Sequence, residues 1–340
     1  MKRHFFCTCF DHNYLIYGMT LFHSLAECDG NFTLYVLALS DECFDRLKDA
    51  DPRIVPIRLA ELEEADPELR QCRDNRSRTE YIFTMSPCLP LFLFARHPEI
   101  DLLTQLDSDL FFFTSPQCLY DELGDRSLYI IEHRFSDGYR ERSALNGRFN
   151  VACQIYRNDA PAKECLARWR RQCLEWCGDR PENGRFADQK YLDSWPEDFK
   201  SHVVVSRNIG ADLAPWNMDN YTVSETAGNF TVNGEKVVFI HYQAFKMLGK
   251  HLFVWYDWSR KKKNRAIFRR LAHVYFSALR RTRRRDARIF AGLENFYPNR
   301  GAFFSPKFEA LLKFVPTDRL KHLFRVLFAV VFYRRHVFFR

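Results

Sequence analysis

Short apolar segments alternate with amphipathic segments through the first 160 residues, and this alternation is the feature that most constrains the fold. Residues 4–10, 32–39 and 101–106 are apolar runs of strand length, whereas residues 13–27 and 41–50 place apolar side chains at helical spacing. Strands that alternate with helices in this way are typical of β–α–β units. We therefore predict an α/β fold with a Rossmann-like, mainly parallel central sheet and helices on both faces.

The charge distribution divides the chain into two predicted parts. Residues 259–340 contain 22 Lys and Arg against 4 Asp and Glu, whereas the preceding residues contain 29 basic and 39 acidic side chains. We predict a globular domain over residues 1–258 and a basic, amphipathic, helical tail over residues 259–340. The first apolar residues of this tail recur at helical spacing: Ile267, Leu271, Val274, Tyr275 and Ala278.

Basic amphipathic helices with Leu and Phe lie in the plane of anionic membranes. We therefore expect the tail, including a second apolar and basic segment at 311–328, to bind an anionic membrane surface. The alternative is that its helices pack on the domain and pair with its acidic surface. The longest uninterrupted apolar stretch, residues 326–333, is too short to span a bilayer.

Two further features indicate a cytoplasmic location. Residues 1–9 lack the long apolar segment of a signal peptide, and the eleven cysteines form no Cys-x-x-Cys pair. The cysteines are best interpreted as free thiols of a reducing compartment. Together with the basic tail, this predicts a peripheral protein on the inner face of the cell membrane.

Two aspartates separated by one residue follow a predicted strand. In Asp107-Ser108-Asp109 the carboxylates stand between apolar segments, at the type of sheet edge where α/β proteins bind ligands. Neighbouring carboxylates repel each other there unless a cation neutralises them, and hard oxygen ligands suit Mg²⁺ or Mn²⁺. By itself an Asp-x-Asp tripeptide is weak evidence for a metal site, because the chain has a second copy, Asp49-Ala50-Asp51, at the end of a polar helix. A solvated turn is the alternative to a metal site.

Five short motifs surround this pair in a fixed order. They are CTCFDHNYL at 7–15, LDSDL at 106–110, FNVA at 149–152, FADQ at 186–189 and IHY at 240–242. Over about residues 4–250 the chain resembles glycosyltransferases of the GT-A fold, most closely family 8, the retaining enzymes that include bacterial lipooligosaccharide galactosyltransferases. The resemblance implies a GT-A fold and transfer of a sugar from a nucleotide-sugar, a UDP-sugar, with retention. The implied acceptor is a glycan or lipid-linked glycan of bacterial surface polysaccharide biosynthesis.

The same resemblance implies roles for individual residues. Asp107, Asp109 and His241 would bind a divalent metal, Mn²⁺ or Mg²⁺, that bridges the diphosphate of the donor. Asp188 and Asn150 would hold the donor sugar, and Gln189 would lie near the reacting carbon. The nucleotide and its phosphates would contact Cys9, Asp11, Asn13, Tyr14, Arg78, Ser108 and Lys246. Lys246 would replace a family lysine, whose position holds Met247 here.

Each of these residues also has a purely structural alternative. His241 can be a core histidine after a strand, and Asp188 an acidic residue favoured at the start of a helix. Asn150 can satisfy backbone groups at a strand edge, and Tyr14 can pack on a helix face. Arg78, and Arg76 before it, can belong to a solvated run of charges.

Two other functional classes remain open on the sequence alone. The basic tail could bind nucleic acid, and a nucleotidyltransferase or phosphohydrolase could use the same metal site. The domain is acidic where a wrapped nucleic acid would lie, and neither a P-loop nor a GxGxxG fingerprint is present. We therefore expect a metal-dependent glycosyltransferase with no nucleic-acid partner.

Overall fold

The computed structural model of the chain describes residues 3–247, 252–256, 264–293 and 337–339. Its strands are β1 (His4–Phe10), β2 (Phe32–Ala38), β3 (Ile54–Arg58), β4 (Leu102–Leu106), β5 (Leu110–Phe112), β6 (Leu128–Glu132), β7 (Phe149–Arg157), β8 (Val203–Val205), β9 (Val223–Thr226), β10 (Asn229–Val232), β11 (Glu235–Lys236), β12 (Phe239–His241), β13 (Lys246–Met247), β14 (Leu252–Val254) and β15 (Val337–Phe339). Its α-helices are α1 (Leu15–Cys28), α2 (Asp41–Leu47), α3 (Leu59–Ala65), α4 (Pro67–Gln71), α5 (Arg78–Met85), α6 (Cys88–Arg96), α7 (Gln117–Leu123), α8 (Glu141–Asn146), α9 (Ala160–Glu175), α10 (Trp195–Asp198) and α11 (Arg265–Arg285). Short 3₁₀ helices lie at Cys72–Asn75, Asp137–Tyr139, Gln189–Ser194, Lys200–His202 and Met218–Asn220.

Seven strands form the central sheet in the order β3-β2-β1-β4-β7-β6-β8. All neighbouring pairs in it are parallel except those that involve β7, which runs antiparallel to β4 and to β6. Every residue of β2 is buried, as expected for a strand that is covered on both faces. The prediction of an α/β fold with a mainly parallel sheet is confirmed.

Helices cover both faces of this sheet and bury one apolar cluster on each. One cluster contains the inward residues of α1, α2, α7 and α11, and the other contains those of α3 to α6 and α9. The helices begin where the sequence provides caps. The Ser40 hydroxyl accepts from Cys43 N at 3.3 Å at the start of α2, and Asp159 accepts from Ala162 N at 3.0 Å at the start of α9.

A second, two-stranded sheet joins distant parts of the chain. The chain leaves the central sheet at the end of β4, turns at residues 107–109 and continues as β5, which pairs antiparallel with β12. Leu110 lies opposite His241 in this pair, and Tyr242 N donates to the carbonyl oxygen of Asp109 at 3.0 Å. We expected a strand at 237–240 with His241 after it, whereas β12 includes His241.

The first segment of the predicted tail folds as α11 and packs on the domain. Leu271, Tyr275 and Leu279 are fully buried in the cluster that includes α1. The Thr20 and Thr282 hydroxyls hydrogen-bond at 2.9 Å across the two helices. The expectation that this apolar face meets a membrane is therefore corrected, because the domain already covers it. The second segment, 311–328, lies outside the described residues.

The described residues contain no helix that is both long and apolar enough to cross a membrane.

Candidate functional site

A pocket of about 500 Å³ opens at the carboxyl ends of β1, β2 and β4. This is the sheet edge at which α/β folds place their ligands. Eight of the residues that the sequence analysis selects line it: Cys9, Asp11, Asn13, Tyr14, Arg78, Asp107, Ser108 and Asp109. Leu39, Thr79, Ile82, Phe83 and Phe10 supply much of the remaining wall.

Two carboxylates that line this pocket, those of Asp107 and Asp109, converge with the buried imidazole of His241. His241 Nε2 lies 3.2 Å from Asp109 Oδ1 and 3.8 Å from Asp107 Oδ2, and one ligand atom from each residue lies within 4.8 Å of the others. The carboxylate side chains remain 47% and 21% exposed for Asp107 and Asp109, whereas that of His241 is 6% exposed. An ion can therefore enter from the pocket and meet a fixed imidazole. The donor set, two carboxylates with one imidazole, fits Mn²⁺ or Mg²⁺.

The proton affinities of these groups reflect crowded negative charge. Loss of hydration raises the pKa of Asp107 to about 7, with further contributions from Asp109, Asp188 and Asp212, while His241 opposes them. Burial lowers the pKa of His241, but the carboxylates of Asp109 and Asp212 more than offset it, so that the pKa is raised well above its usual value. A bound divalent cation would relieve the repulsion among these carboxylates.

Asp11 holds together the part of the pocket wall that the sequence motifs associate with a nucleotide. Its Oδ1 accepts from Asn13 N at 2.9 Å and from Tyr14 N at 3.1 Å, and its Oδ2 forms an ion pair with Arg78. This carboxylate thus fixes the loop between β1 and α1. The ring of Tyr14 is 38% exposed, an unusual state for a large aromatic side chain, and is accessible from the pocket.

Asp188 and Gln189 lie at the start of the 3₁₀ helix Gln189–Ser194. Asp188 is buried, accepts a hydrogen bond of 2.5 Å from the Ser86 hydroxyl, and has its pKa raised to about 6, chiefly by burial. Its charge also contributes to raising the pKa of the pocket residue Cys9, which is raised mainly by burial. Gln189 donates from Nε2 to the carbonyl oxygen of Asn146 at 2.6 Å.

Five of the predicted site residues do not line the pocket: Asn150, Asp188, Gln189, His241 and Lys246. Asn150 directs its amide to Asp212 and His241, at 3.0 and 3.1 Å, behind the metal ligands. Lys246 lies half-buried on β13, where burial lowers its pKa. Arg76 hydrogen-bonds Thr84 and the carbonyl oxygens at the end of α9, so its role in the described residues is structural.

Two polar groups of the site were not predicted from the sequence, Asp212 and Ser86. Asp212 lies beside His241 Nδ1 at 3.5 Å, and Ser86 donates to Asp188. Neither stands in a recognisable motif. Ser86 follows α5, just before the Pro-rich start of α6, and Asp212 belongs to an irregular segment before β9.

Comparison with known proteins gives relatives in sequence and in structure. No family model matches the chain. The solved structures similar to it include galactosyltransferase LgtC in complex with donor and acceptor sugar analogues, with 18% identity, 71% of this chain and 87% of that chain covered, and a TM-score of 0.47. Mouse xyloside xylosyltransferase 1 has 14% identity, 72% and 98% coverage and a TM-score of 0.47. Both of these neighbours are glycosyltransferases.

The relatives in sequence include bacterial proteins. The uncharacterized protein YfnD of Bacillus subtilis strain 168 is 31% identical over 262 residues, which cover 75% of this chain and 83% of YfnD. At this identity and coverage the chain belongs to the same protein family as YfnD.

Proposed function

We propose that this protein is a metal-dependent glycosyltransferase that transfers a sugar from a UDP-sugar to a glycan or lipid-linked acceptor, with retention of the anomeric configuration. The observation that carries the proposal is the convergence of His241 with Asp107 and Asp109, two carboxylates of a pocket that is also lined by residues of the loop from Cys9 to Tyr14. A metal-ligand set and an exposed aromatic ring thus share one cavity.

The two ends of the pocket suit the two ends of a nucleoside diphosphate. Tyr14 offers an exposed ring for stacking on a base, while Asn13 and the ordered loop around Asp11 offer polar groups to its edge. Asp107, Asp109 and His241 would hold the divalent ion, and that ion neutralises the charge that develops on the leaving diphosphate. Arg78 and Ser108 lie in the same cavity and are the candidate phosphate contacts.

The donor sugar requires groups beyond the metal site. The carboxylate of Asp188, which is buried and accepts from the Ser86 hydroxyl, can accept hydrogen bonds from sugar hydroxyls. Gln189, which follows it, is the candidate neighbour of the reacting carbon. Asn150 contacts Asp212 and His241 rather than the pocket, so it supports the site through these two residues instead of contacting the sugar.

A donor screen tests the activity. The full chain is incubated with Mn²⁺ and UDP-glucose, UDP-galactose, UDP-N-acetylglucosamine or GDP-mannose, and nucleotide release is measured. We expect release from one or more UDP-sugars, abolished by EDTA and restored by Mn²⁺. Release that is unaffected by EDTA would contradict the proposed metal dependence, and release from GDP-mannose alone would contradict the uridine donor.

We also propose that the enzyme acts at an anionic membrane surface on the cytoplasmic side. The apolar face of α11 is covered by the domain, so the contact would be electrostatic and made by the outer face. Exposed arginines on and after this helix are Arg269, Arg281, Arg284, Arg285 and Arg288. Each arginine close to an anionic leaflet contributes about 1 kcal/mol.

Sedimentation with phosphatidylglycerol vesicles at low salt tests this contact. Combined substitution of Arg281→Glu, Arg284→Glu and Arg285→Glu should release the protein into the supernatant. The matched control carries the same change of charge at exposed residues of other elements: Lys48→Glu, Arg70→Glu and Lys163→Glu. Equal loss of binding in both variants would indicate a general charge effect and contradict a docking face on α11.

A further inference from the structure

A buried carboxylate stands behind the imidazole of the metal site. Asp212 is 1% exposed, and its Oδ1 lies 3.5 Å from Nδ1 of His241, on the side of the ring away from Asp107 and Asp109. Its Oδ2 accepts from Asn150 Nδ2 at 3.0 Å. Within the described part of the chain Oδ1 has no hydrogen bond other than the one that Nδ1 can donate. Buried carboxylate oxygens require such a donor.

The backbone fixes Asp212 in this place. His241 N donates to the carbonyl oxygen of Leu213 at 2.9 Å, so the segment that carries Asp212 runs beside β12. Asn217 Nδ2 donates to the carbonyl oxygen of Asp212 at 2.8 Å. Asp212 has a φ of +58°, in the left-handed region that Asp and Asn adopt more readily than other non-glycine residues. The carboxylate is therefore positioned by the same strand that positions His241.

The Nδ1 atom of His241 has a second neighbour, and the two neighbours favour different tautomers. Asn150 Nδ2 lies 3.1 Å away and is a donor, so Nδ1 would accept from it only if the ring proton were on Nε2. Asp212 is an acceptor, so it requires the proton on Nδ1. A metal ion needs the lone pair of Nε2, and only the second arrangement leaves that lone pair free.

We propose that Asp212 is a positioning residue of the metal site, which holds the proton of His241 on Nδ1 and directs the Nε2 lone pair towards the ion. Asn150 acts with it, because its donation to Oδ2 orients the carboxylate so that Oδ1 faces the ring. This inference rests on the proposed function and adds to it a residue that acts through His241.

The substitution Asp212→Asn isolates this role. It keeps the size of the side chain and tolerates the left-handed backbone. Asn150 would pair with the introduced amide oxygen and leave the introduced N–H group facing His241, which favours the wrong tautomer. We expect Mn²⁺ binding, measured by electron paramagnetic resonance of the free ion in the presence of UDP, to weaken by about 10- to 100-fold.

Two further variants separate this effect from a loss of folding. Asp219→Asn alters another buried acid of the same segment, which accepts from Asn264 at 3.0 Å, and should bind Mn²⁺ like the unsubstituted chain. The double substitution Asn150→Asp with Asp212→Asn exchanges donor and acceptor and should recover most of the affinity. Long-range ¹H–¹⁵N spectra of the Mg²⁺-bound protein should show the His241 proton on Nδ1 and its loss from there in Asp212→Asn.

The outcomes distinguish this inference from the proposed function. If Asp212→Asn binds Mn²⁺ as tightly as the unsubstituted chain, the positioning role is refuted while the metal site stands. The same conclusion follows if Asp219→Asn weakens binding equally. If the unsubstituted chain binds no Mn²⁺ with UDP, the proposed function fails and the inference fails with it.

Discussion

Removal of a single metal-ligating carboxylate should separate activity from stability. We consider Asp109→Ala, because Asp109 contributes the carboxylate oxygen nearest to His241 Nε2, at 3.2 Å. A charge pair about 4 Å apart is worth about 4 kcal/mol at the effective dielectric constant of a protein surface. Loss of one anionic ligand should therefore lower turnover of the donor by about 10²- to 10³-fold, the range found when a single stabilising group is removed from a transition state.

The same substitution should not unfold the protein. Asp109 repels Asp107 but attracts His241, whose pKa it raises, so its removal relieves one unfavourable interaction and loses one favourable interaction in the metal-free state. Because the two effects oppose each other, we expect the thermal midpoint without metal to change by no more than a few degrees. A midpoint lowered by many degrees would mean that the lost activity reflects unfolding.

The second Asp-x-Asp tripeptide supplies the control for this measurement. Asp49 is exposed after the end of α2 and does not line the pocket, and Asp49→Ala should retain turnover within about twofold. Steady-state nucleotide release with Mn²⁺ and the active donor measures both variants. Equal losses at the two positions, or an Asp109→Ala enzyme with a tenth or more of normal turnover, would refute the assignment of the metal site.

Three further predictions concern stereochemistry, packing and pH. The first-formed product should keep the anomeric configuration of the donor, and an inverted anomer in its NMR spectrum would contradict the proposed retention. Leu271→Ala should lower the free energy of unfolding by roughly 3–5 kcal/mol in urea, because Leu271 is fully buried between α11 and the domain, whereas Arg284→Ala on the exposed face should change it by less than about 0.5 kcal/mol. Burial lowers the pKa of His133 to about 4, so the folded state keeps it neutral while the unfolded state takes up a proton below about pH 6.5. Stability should therefore fall between about pH 6.5 and pH 4 by up to roughly 3 kcal/mol, and His133→Gln should lose less over this range than the unsubstituted chain.

The regular part of the fold could be predicted from local patterns. The strands of the central sheet are continuous apolar runs, and Ser40 stands where a helix N-cap is expected, so their positions follow from period and capping alone. The three-stranded antiparallel sheet of β9, β10 and β11 could not be predicted from the sequence, because its strands in residues 223–236 are short and polar and are separated by glycines.

The contacts of the site depend on long-range pairing that local patterns do not contain. Asp107 and Asp109 could be selected from their place after a strand, but the approach of Asp212 to His241 arises from a backbone bridge beside β12. The amphipathic pattern of α11 correctly predicted that the helix has an apolar face. This face packs on the domain and not, as we expected, on a membrane. Periodicity shows that a face is apolar, and only tertiary packing decides whether lipid or protein covers it.

Because β5 pairs with β12, the proposed metal site forms only when distant parts of the chain have come together. Asp109 and His241 are more than a hundred residues apart in sequence, and they meet only when β12 has paired with β5. An ion held by both closes a loop of that length, and it binds the assembled state while partly folded chains lack the site. By mass action, metal at a hundred times its dissociation constant would favour the assembled state by about 2.7 kcal/mol. The ion would thus stabilise a late step of folding, because chains in which β12 has not yet paired with β5 would lack the complete site and would bind it weakly.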